Sequence, residues 1–491
     1  TLRLVEDGLV DLDAPITEAI PTFSIQSRFL DSTPITIRSL LTHQSGLPRN
    51  GCTAVDFNPN LLADLANSLE HCYQTHPVGY RFHYSNIGFD ILGYLIEKLR
   101  EKPYPVYIRD ALFNPLGMEN SGFLRSQIPD EQNIAFGYDY DKGRYHPFHQ
   151  GDVTSVPSGN IFSSIEDMGE FVKFLFREGE INGKQLIDPR TIKVMFAEQP
   201  SNASDPHTMA LGWKTTQVSG SEQMIWHDGG PTEGTGALVA ILPGSKLGLV
   251  LIANSTTFDG SVSVPLAVDI LGLMLKTKYG LGVDQSQSRE AIEILPNSME
   301  DYIGRYITFG EVMEIFTKGD QLKGSIMGFS FDLDPLDKNL FQPRHWIADI
   351  GLSSLLGLPI DLRELKIEFH PADEISEKFL VIHLGGISYE ICPSYPTLGE
   401  LPPVWENLEG DYNRHNRLAT GMPGSEVYGQ NSISIEEGVL RMSGFVGPIL
   451  PINDQELIIL SGIYAGETMI YDRETGTISH QKTIYKKMIN E

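Results

Sequence analysis

The most restrictive feature of the sequence is a pair of apolar segments separated by a short turn. The segments Gly236–Leu242 and Leu247–Ala253 flank Pro243-Gly244-Ser245-Lys246. Two apolar runs with a Pro-Gly turn between them indicate antiparallel strands joined as a hairpin. Because neither run alternates polar with apolar residues, we expect the hairpin to be buried on both faces. Such a sheet needs helices packed against both of its sides.

Helical periodicity in residues 1–280 supplies those helices. The clearest case runs from Asn86 to Arg100, where apolar residues recur at the helical period and form one face, and Ser85 or Asn86 can cap its first turn. Further helices are predicted at residues 166–177 and 264–275, and the second of these is apolar enough to pack against the sheet. The predicted fold class is α+β, an antiparallel sheet flanked by helices.

The sequence changes character after residue 280. The linker signal comes from a short run of small and polar residues, Gly280, Gly282, Gln285, Ser286, Gln287 and Ser288, and we place the linker at residues 281–297. Beyond them, short apolar runs with frequent turn signals favour small antiparallel β-barrels. A weak repeat relates residues 302–306 to 408–412, and residues 333–337 to 449–453. We therefore predict a first domain at 1–280, a linker at 281–297, and β-barrel modules at 298–400 and 401–491, with a second linker near Leu401-Pro402-Pro403.

Composition excludes several function classes. The 491 residues carry 64 Asp and Glu against 37 Lys and Arg, a net charge of −27, which repels phosphate backbones and argues against a nucleic-acid partner. No apolar run approaches the ~18 residues of a membrane-spanning helix. The three cysteines fit a reducing compartment, or at most one bridge between Cys52 and Cys72. The compartment stays open, and a homo-oligomer is compatible with the sequence.

The Tyr84-Ser85-Asn86 triplet precedes the best predicted helix. A tyrosine at a loop-to-helix junction can project its phenol toward a cleft, and an asparagine two residues later can direct its amide to the same space. A phenol acts as a base only if a nearby cation lowers its pKa. Taken alone, a Tyr-x-Asn pattern is expected by chance among 19 tyrosines, so a structural role is the simpler interpretation.

The segment His227-Asp228-Gly229-Gly230 lies just before the hairpin. An imidazole there could donate a hydrogen bond to a substrate carboxylate or to the phenol of Tyr84. Gly229 and Gly230 would allow close approach of a ligand and could offer a backbone N–H to an oxyanion. His-x-Gly is a weak pattern that also occurs at His149 and His383, and we interpret those two matches as chance.

Other motifs give no support for a metal or a cofactor. His71, Cys72 and His76 lie close together, but their spacing matches no zinc pattern, so a loop is expected. The sequence contains neither a Gly-x-Ser-x-Gly nucleophile motif nor a phosphate-binding Gly-x4-Gly-Lys. We expect no metal site and no cofactor.

Taken together, segments within residues 1–278 resemble the serine β-lactamase-like hydrolases: class C β-lactamases, D-aminopeptidases, related esterases and penicillin-binding proteins. Residues 4–15 resemble the stretch after the family's nucleophile helix, residues 37–48 its active-site loop, and residues 82–88 its Tyr-x-Asn element. Residues 227–230 resemble its third motif, and further family landmarks are residues 115–118, 135–138 and 211–213. Each segment is weak alone, but their order and spacing are specific. The third motif reads Lys-Thr-Gly in the β-lactamases and His-x-Gly in esterases and aminopeptidases of the group.

The resemblance implies a catalytic serine that residues 1–278 do not contain at the expected place. The family's serine lies in Ser-x-x-Lys, which the family's spacing puts roughly ten residues before Thr1. The sequence has this pattern only at Ser479-His480-Gln481-Lys482, in the last β module, where we interpret it as chance. Residues 1–6 look like the last turn of a helix whose beginning is missing, so we expect an N-terminally truncated fragment.

The resemblance also implies a mechanism. The missing serine would form an acyl-enzyme while its lysine and Tyr84 share the proton transfers, Asn86 would orient the lysine and the substrate, and a backbone N–H near Gly230 would hold the oxyanion. Because His227 stands where β-lactamases carry a permanent cation, the expected substrates are small molecules or peptides with ester, amide or D-residue bonds.

The implied role of the β modules is to sit beside the cleft, like the lipocalin-like barrels of D-aminopeptidases, and to restrict which substrates enter. A free-standing ligand cup is the alternative use of such barrels. The alternative function is a catalytically dead binding protein of the same fold.

Overall fold

The computed structural model describes residues 1–50, 62–129, 134–141, 143–148, 156–201, 208–219, 222–230, 234–280, 296–308, 311–326, 329–344, 365–370, 378–384, 387–394, 405, 408–416, 428–436, 439–443, 447–460, 464–480 and 483–488. The α-helices in these ranges are α1 (Leu2–Glu6), α2 (Ile16–Ala19), α3 (Ile37–Leu41), α4 (Leu62–Ser68), α5 (Asn86–Arg100), α6 (Tyr104–Ile108), α7 (Asn114–Leu116), α8 (Val156–Gly159), α9 (Ile165–Phe176), α10 (Pro189–Phe196) and α11 (Gly260–Tyr279).

Over these described ranges the chain has three parts: a first part that contains all the α-helices given above together with nine strands, and two further parts of eight strands each. Those of the first part are β1 (Gly137–Asp141), β2 (Arg144–Phe148), β3 (Glu180–Ile181), β4 (Lys184–Gln185), β5 (Met209–Ala210), β6 (Trp213–Ser219), β7 (Glu222–Gly229), β8 (Gly236–Leu242) and β9 (Leu247–Ala253). Those of the next part are β10 (Gly304–Thr308), β11 (Glu311–Lys318), β12 (Gln321–Ile326), β13 (Phe329–Pro335), β14 (Leu340–Arg344), β15 (Leu365–His370), β16 (Phe379–Leu384) and β17 (Ile387–Pro393). Those of the last part are β18 (Gly410–Asn416), β19 (Tyr428–Glu436), β20 (Val439–Met442), β21 (Gly447–Pro451), β22 (Glu456–Ile459), β23 (Thr468–Asp472), β24 (Thr477–His480) and β25 (Thr483–Lys487).

The first part is built on a five-stranded antiparallel sheet in the order β5-β6-β7-β8-β9. One of its faces packs against α11, through residues such as Leu271 and Leu238. The other face packs against α9, through residues such as Phe174 and Ile241. The predicted α+β architecture, a sheet between helices, is confirmed.

The hairpin β8–β9 forms over the predicted residues, but its two strands differ in burial. β8 is buried along nearly its whole length, whereas β9 is mostly half-buried and the side chain of Ile252 is 46% exposed. The expectation that both strands are buried on both faces is therefore wrong for β9. The reason is that β9 is the edge strand of the sheet, so the adjoining elements cover it less completely than a central strand.

Helix α5 positions the candidate site. It begins at Asn86, as predicted, because the Ser85 hydroxyl accepts a hydrogen bond of 3.1 Å from the Gly88 N–H. Its apolar face, which includes Ile87, Ile91 and Leu95, packs into the helical core of the first part. The cap fixes the direction in which the preceding residue, Tyr84, leaves the helix.

The second and third parts are β-barrel modules. Strands β18–β25 form a closed antiparallel barrel, and β10–β17 form an eight-stranded antiparallel sheet whose two ends meet at an isolated bridge between Tyr306 and Ser394. The interior of the closed barrel is filled by buried side chains, among them Trp405 and Met469. A packed interior of this kind does not support the ligand-cup alternative.

The repeat seen in the sequence marks the same structural device in both modules. The buried Tyr306 hydroxyl donates to the Tyr302 carbonyl at 2.8 Å, and the buried Tyr412 hydroxyl donates to the Leu408 carbonyl at 2.7 Å. In each module this tyrosine lies on the first strand. The second pair of repeated segments ends the fourth strand of each module, β13 and β21.

Two sequence-based predictions fall largely outside the described ranges. Of the predicted linker 281–297, only Pro296 onward is described, where residues Pro296–Asp301 form a 3-10 helix. The linker near Leu401 lies outside them altogether. Of the two expectations for the cysteines, the disulfide-bonded Cys72 agrees with a single bridge and not with three free thiols. Its expected partner Cys52 lies outside the described residues.

The closed barrel docks on the first part through polar contacts. Arg28 forms an ion pair with Glu456 at 2.8 Å and donates a hydrogen bond of 3.1 Å to Thr468. The Tyr73 hydroxyl donates to the other oxygen of Glu456 at 2.6 Å, and the guanidinium of Arg28 stacks 3.8 Å above the Tyr73 ring. This interface brings the barrel beside the loops that precede α5.

Candidate active site

The site begins with a strained loop after α3. His43 has a φ of +56°, a left-handed conformation that non-glycine residues seldom adopt, and its side chain is buried. Its Nδ1 accepts the backbone N–H of Ser85 at 3.0 Å, so the proton of the neutral ring lies on Nε2. Burial lowers the pKa of His43 well below its usual value. His43 is therefore a neutral ring that ties this loop to the start of α5.

Tyr84 lies between that ring and the third motif. Its ring centroid is 4.3 Å from that of His43 and 6.1 Å from that of His227. The structure thus brings together Tyr84 and His227, the two residues assigned catalytic roles from the sequence. They come from different elements, the loop before α5 and the end of β7.

The electrostatic environment of Tyr84 keeps its phenol protonated. Burial raises the pKa of Tyr84 to about 12, and the negative charges of Asp228 and Asp90 act in the same direction. Arg49 opposes this shift, with its guanidinium carbon 4.9 Å from the ring centroid. The cations present around Tyr84 do not by themselves make its phenol a base.

His227 is held in one tautomer. Its Nδ1 lies 2.8 Å from the backbone carbonyl of Asp228, which can only accept, so Nδ1 carries the proton and Nε2 is left as an acceptor. Burial and the charge of Lys214 lower the pKa of His227. Near neutral pH the ring therefore offers a proton acceptor, whereas the sequence-based expectation was a donor to a carboxylate or a phenol.

An ion pair lies beside these two rings. The ammonium of Lys214, on β6, is 2.7 Å from a carboxylate oxygen of Asp228, on β7, and 5.7 Å from the ring centroid of Tyr84. Burial alone would raise the pKa of Asp228, but Lys214 and His227 outweigh it and hold that pKa below its usual value. The charge of Lys214 is thus already matched by a carboxylate.

The predicted substrate-binding residues are placed less tightly. The Asn86 side-chain amide donates to the Asn50 side-chain oxygen at 2.9 Å, which links α5 to the loop that carries Arg49. Gly229 and Gly230 are exposed at the end of β7. A Cβ built on Gly230 meets no described atom within 4 Å, so packing does not require glycine there and a ligand could approach its backbone.

The closed barrel reaches the same loop. One oxygen of Glu467 accepts the backbone N–H of Arg49 at 2.7 Å, and the other is 2.8 Å from Nε2 of His480. Glu467 and His480 are both buried. Gly466, in the same barrel loop, lies so close to the Thr75 carbonyl that a Cβ would come within 3.0 Å of that oxygen. The barrel therefore forms part of the wall around Arg49.

The described part of the chain shows neither a metal site nor a spanning helix. It contains no group of three or more His, Cys, Asp or Glu residues arranged to hold a metal ion. None of its helices has the length and apolarity that crossing a bilayer requires. Cys72, one member of the His71, Cys72 and His76 group, is disulfide-bonded and so has no thiolate to offer a metal.

Comparison with known families identifies the first part of the chain. A profile of the Beta-lactamase family matches residues 1–271, which is more than half of the sequence. The chain belongs to the beta-lactamase family. The resemblance drawn from the motifs is confirmed. Tyr84, His227, Lys214 and Arg49 lie within the matched residues, whereas Glu467 and His480 lie in the last barrel, outside them.

The relatives reported for this beta-lactamase-family chain share only about a quarter of its residues over the aligned region. The chain is 26% identical over 296 residues to "Unguisins hydrolase ungD'" of Aspergillus campestris (strain IBT 28561), covering 58% of this chain and 54% of that protein. It is 25% identical over 262 residues to "Protein flp" of Staphylococcus aureus (strain MW2), covering 52% of this chain and 49% of that protein. The chain spans about half the length of these curated relatives. Among solved structures, SurE superimposes with a TM-score of 0.52 at 19% identity, covering 80% of this chain and 84% of that chain, and so shares the fold.

Sequence reasoning missed several residues of this beta-lactamase-family site. Lys214 follows the recognised Leu211-Gly212-Trp213 segment, and Asp228 is part of the third motif itself, yet neither was assigned a role. Arg49 directly follows the recognised loop 37–48. Adjacency to a recognised motif was the available signal for these three. Glu467 had no such signal, because it lies in the last barrel.

Proposed function

We propose that this chain is the larger part of a serine hydrolase that acts through an acyl-enzyme on amide, peptide or ester bonds. Family membership supports a hydrolase-like function. The observation that carries the finer proposal is the meeting of Tyr84 and His227 at a ring separation of 6.1 Å beside the exposed backbone of Gly230. A proton-transferring phenol, an imidazole and an accessible backbone N–H are the groups that an acyl transfer requires around a nucleophile.

In the proposed reaction, a serine from a Ser-x-x-Lys segment upstream of Thr1 attacks the substrate carbonyl. The serine proton passes to the lysine and Tyr84 pair and then to the leaving amine or alcohol, while the carbonyl oxygen accepts hydrogen bonds from the serine N–H and from a backbone N–H near Gly230. Water then attacks the ester that has formed, which releases the acid and restores the serine hydroxyl.

The pKa of Tyr84 explains why the lysine is essential to this proposal. Burial raises the pKa of Tyr84 to about 12, and Arg49 only partly opposes the shift. An additional ammonium next to the phenol would favour its ionised form by charge attraction. We therefore expect chain 1–491 to show no turnover of nitrophenyl esters, and the longer protein to be active.

The neutral acceptor at His227 bears on the class of substrate. A beta-lactamase with a lysine in the third motif presents a permanent cation to the substrate carboxylate, whereas the ring of His227 presents an acceptor near neutral pH. This supports esters, amides and peptides, with D-residue peptides included, in preference to β-lactams.

Covalent labelling tests the proposal. The protein extended upstream through the Ser-x-x-Lys segment is incubated with a fluorophosphonate or a penicillin, and intact mass reports the adduct. Wild type should gain one label, and replacing the Ser-x-x-Lys serine by alanine should abolish it. Tyr84→Phe should slow acylation by about 100-fold or more, as expected for loss of a general base.

A matched control separates the role of Tyr84 from general effects of removing a hydroxyl. Tyr279 lies on α11, and its hydroxyl donates to the Ser245 carbonyl in the turn at the opposite end of β8 from Gly229. Tyr279→Phe should therefore leave acylation unchanged. If the extended protein takes up no label while its cleft binds ligands reversibly, the chain is the alternative, a catalytically dead binding protein.

A further inference from the structure

Two cations flank the ring of Tyr84, and only one of them is neutralised. Lys214 is paired with Asp228 at 2.7 Å. The guanidinium of Arg49 lies 4.9 Å from the Tyr84 ring centroid and forms no ion pair with any carboxylate in the described part of the chain. The residue is half-buried, and it has no carboxylate partner among the described residues although the protein carries 64 acidic residues against 37 basic ones.

The backbone of Arg49 is fixed on both sides. Its N–H donates to Glu467 at 2.7 Å, and its carbonyl accepts the N–H groups of Asn86 at 2.8 Å and Ile87 at 3.3 Å. These bonds tie the residue to the barrel and to the first turn of α5. A side chain that leaves a fixed backbone loses less entropy when it binds a ligand.

The carboxylate of Glu467 contacts the backbone of Arg49 and forms no ion pair with its guanidinium. One oxygen of Glu467 accepts the hydrogen bond from the Arg49 backbone N–H, and the other lies 2.8 Å from Nε2 of His480. On the barrel side, the charge of Arg49 opposes the rise in the pKa of Tyr464 that burial causes. Arg49 is therefore placed between the two parts: its guanidinium lies 4.9 Å from the Tyr84 ring centroid, and its backbone N–H is bound by the barrel.

We propose that Arg49 is a subsite for a free carboxylate of the substrate, beside Tyr84 and against the closed barrel. This inference rests on the proposed function and adds the substrate class, namely compounds with a carboxylate near the bond that is cleaved. A guanidinium matches a carboxylate with two parallel N–H donors, which an ammonium cannot do. His227, a neutral acceptor, is unsuited to binding a carboxylate. Arg49 lies on a different element from His227, so this subsite is distinct from the one at which a third-motif lysine holds the carboxylate of a β-lactam.

A pair of ligands that differ only in charge tests the subsite without any turnover. N-acetylalanine and N-acetylalaninamide, each as the D and L forms, are titrated into chain 1–491 by calorimetry or by NMR. We expect the acid of at least one enantiomer to bind about tenfold or more tightly than its amide, a preference that should weaken as salt increases. Arg49→Gln should abolish the preference, and Arg49→Lys should retain part of it.

The control for a simple loss of charge is Arg190→Gln. Arg190 is exposed and already paired with Asp188 at 2.7 Å, so its loss should leave the preference intact. Circular dichroism of each variant verifies that the fold is retained. Equal affinity for acid and amide in the wild type, a preference that survives Arg49→Gln, or no binding of any acid up to about 10 mM would each overturn the proposal.

This outcome is independent of the labelling experiment. If the extended protein is not labelled but chain 1–491 prefers acids through Arg49, the hydrolase proposal fails while the carboxylate subsite stands in a binding protein. If the extended protein is labelled but chain 1–491 shows no preference for acids, the hydrolase proposal stands and the carboxylate subsite at Arg49 is wrong.

Discussion

The backbone N–H of Arg49 donates a 2.7 Å hydrogen bond to the carboxylate of Glu467, although the two residues are 418 positions apart in the sequence. Through this bond the last barrel supports the loop that lies over Tyr84. The same carboxylate pairs with His480, so a single buried group satisfies one donor from each side of the interface.

Removing that carboxylate should loosen the interface. Glu467→Ala leaves two buried donors, the Arg49 N–H and Nε2 of His480, without their acceptor, which should cost about 1–3 kcal/mol of stability. Faster hydrogen exchange at the Arg49 amide is the direct measurement. Glu474→Ala, at an exposed turn of the same barrel, should leave that amide protected, and equal protection in both variants would contradict the role given to Glu467.

Stability should fall in mildly acidic solution because of buried neutral histidines. Burial lowers the pKa of His43 and of His83 well below the usual value of 6.5. Below pH 6.5 the unfolded chain therefore binds more protons than the folded one, and stability is lost as the pH falls, with a limiting slope of about 1.4 kcal/mol per pH unit for each histidine.

Substitution at His83 separates its contribution to the pH dependence of stability from that of His43. The residue keeps its place through a backbone bond to the His43 carbonyl, so His83→Phe retains that bond and removes the titrating ring. Unfolding measured between pH 5 and 7 should show a shallower slope in the variant. A full wild-type slope in His83→Phe would refute the assignment.

The ammonium of Lys214 should control the titration of His227. Its charge lowers the pKa of His227, whereas Asp228 raises it. Lys214→Met should therefore raise the pKa of His227, as read from the NMR titration of the ring protons. In Lys173→Met, which removes an exposed ammonium paired with Glu170 on α9, the titration should match wild type. A pKa of His227 that stays constant or falls in Lys214→Met would be evidence against this coupling.

The two repeated tyrosines should act locally. Tyr306→Phe and Tyr412→Phe each remove a buried hydrogen bond to a carbonyl and should destabilise their own barrel by about 1–2 kcal/mol. Calorimetric unfolding with hydrogen exchange shows which barrel is affected. Tyr471→Phe is the control in the closed barrel, because its hydroxyl makes no hydrogen bond with the described residues. Equal effects from all three changes would remove the special role of the repeat.

Sequence reasoning succeeded where the signal is local. Helix α5 begins and ends at the predicted residues because its apolar period and the Ser85 cap lie within one segment. It failed at β9, where burial depends on the position of the strand in the sheet rather than on its own residues. Tyr84 and His227 were selected because they belong to recognisable motifs, whereas Lys214 and Arg49 do not.

The amino-acid order alone determined helices α5, α9 and α11, the β8–β9 hairpin, the tyrosine repeat and the family motifs, because each signal lies in residues a few positions apart. Only the tertiary structure decided which charges meet. Lys214 finds Asp228 across neighbouring strands, and Glu467 reaches Arg49 only once the barrel has docked. Contacts of that kind depend on how separate elements pack, and a linear pattern of residues carries no record of the distance between them.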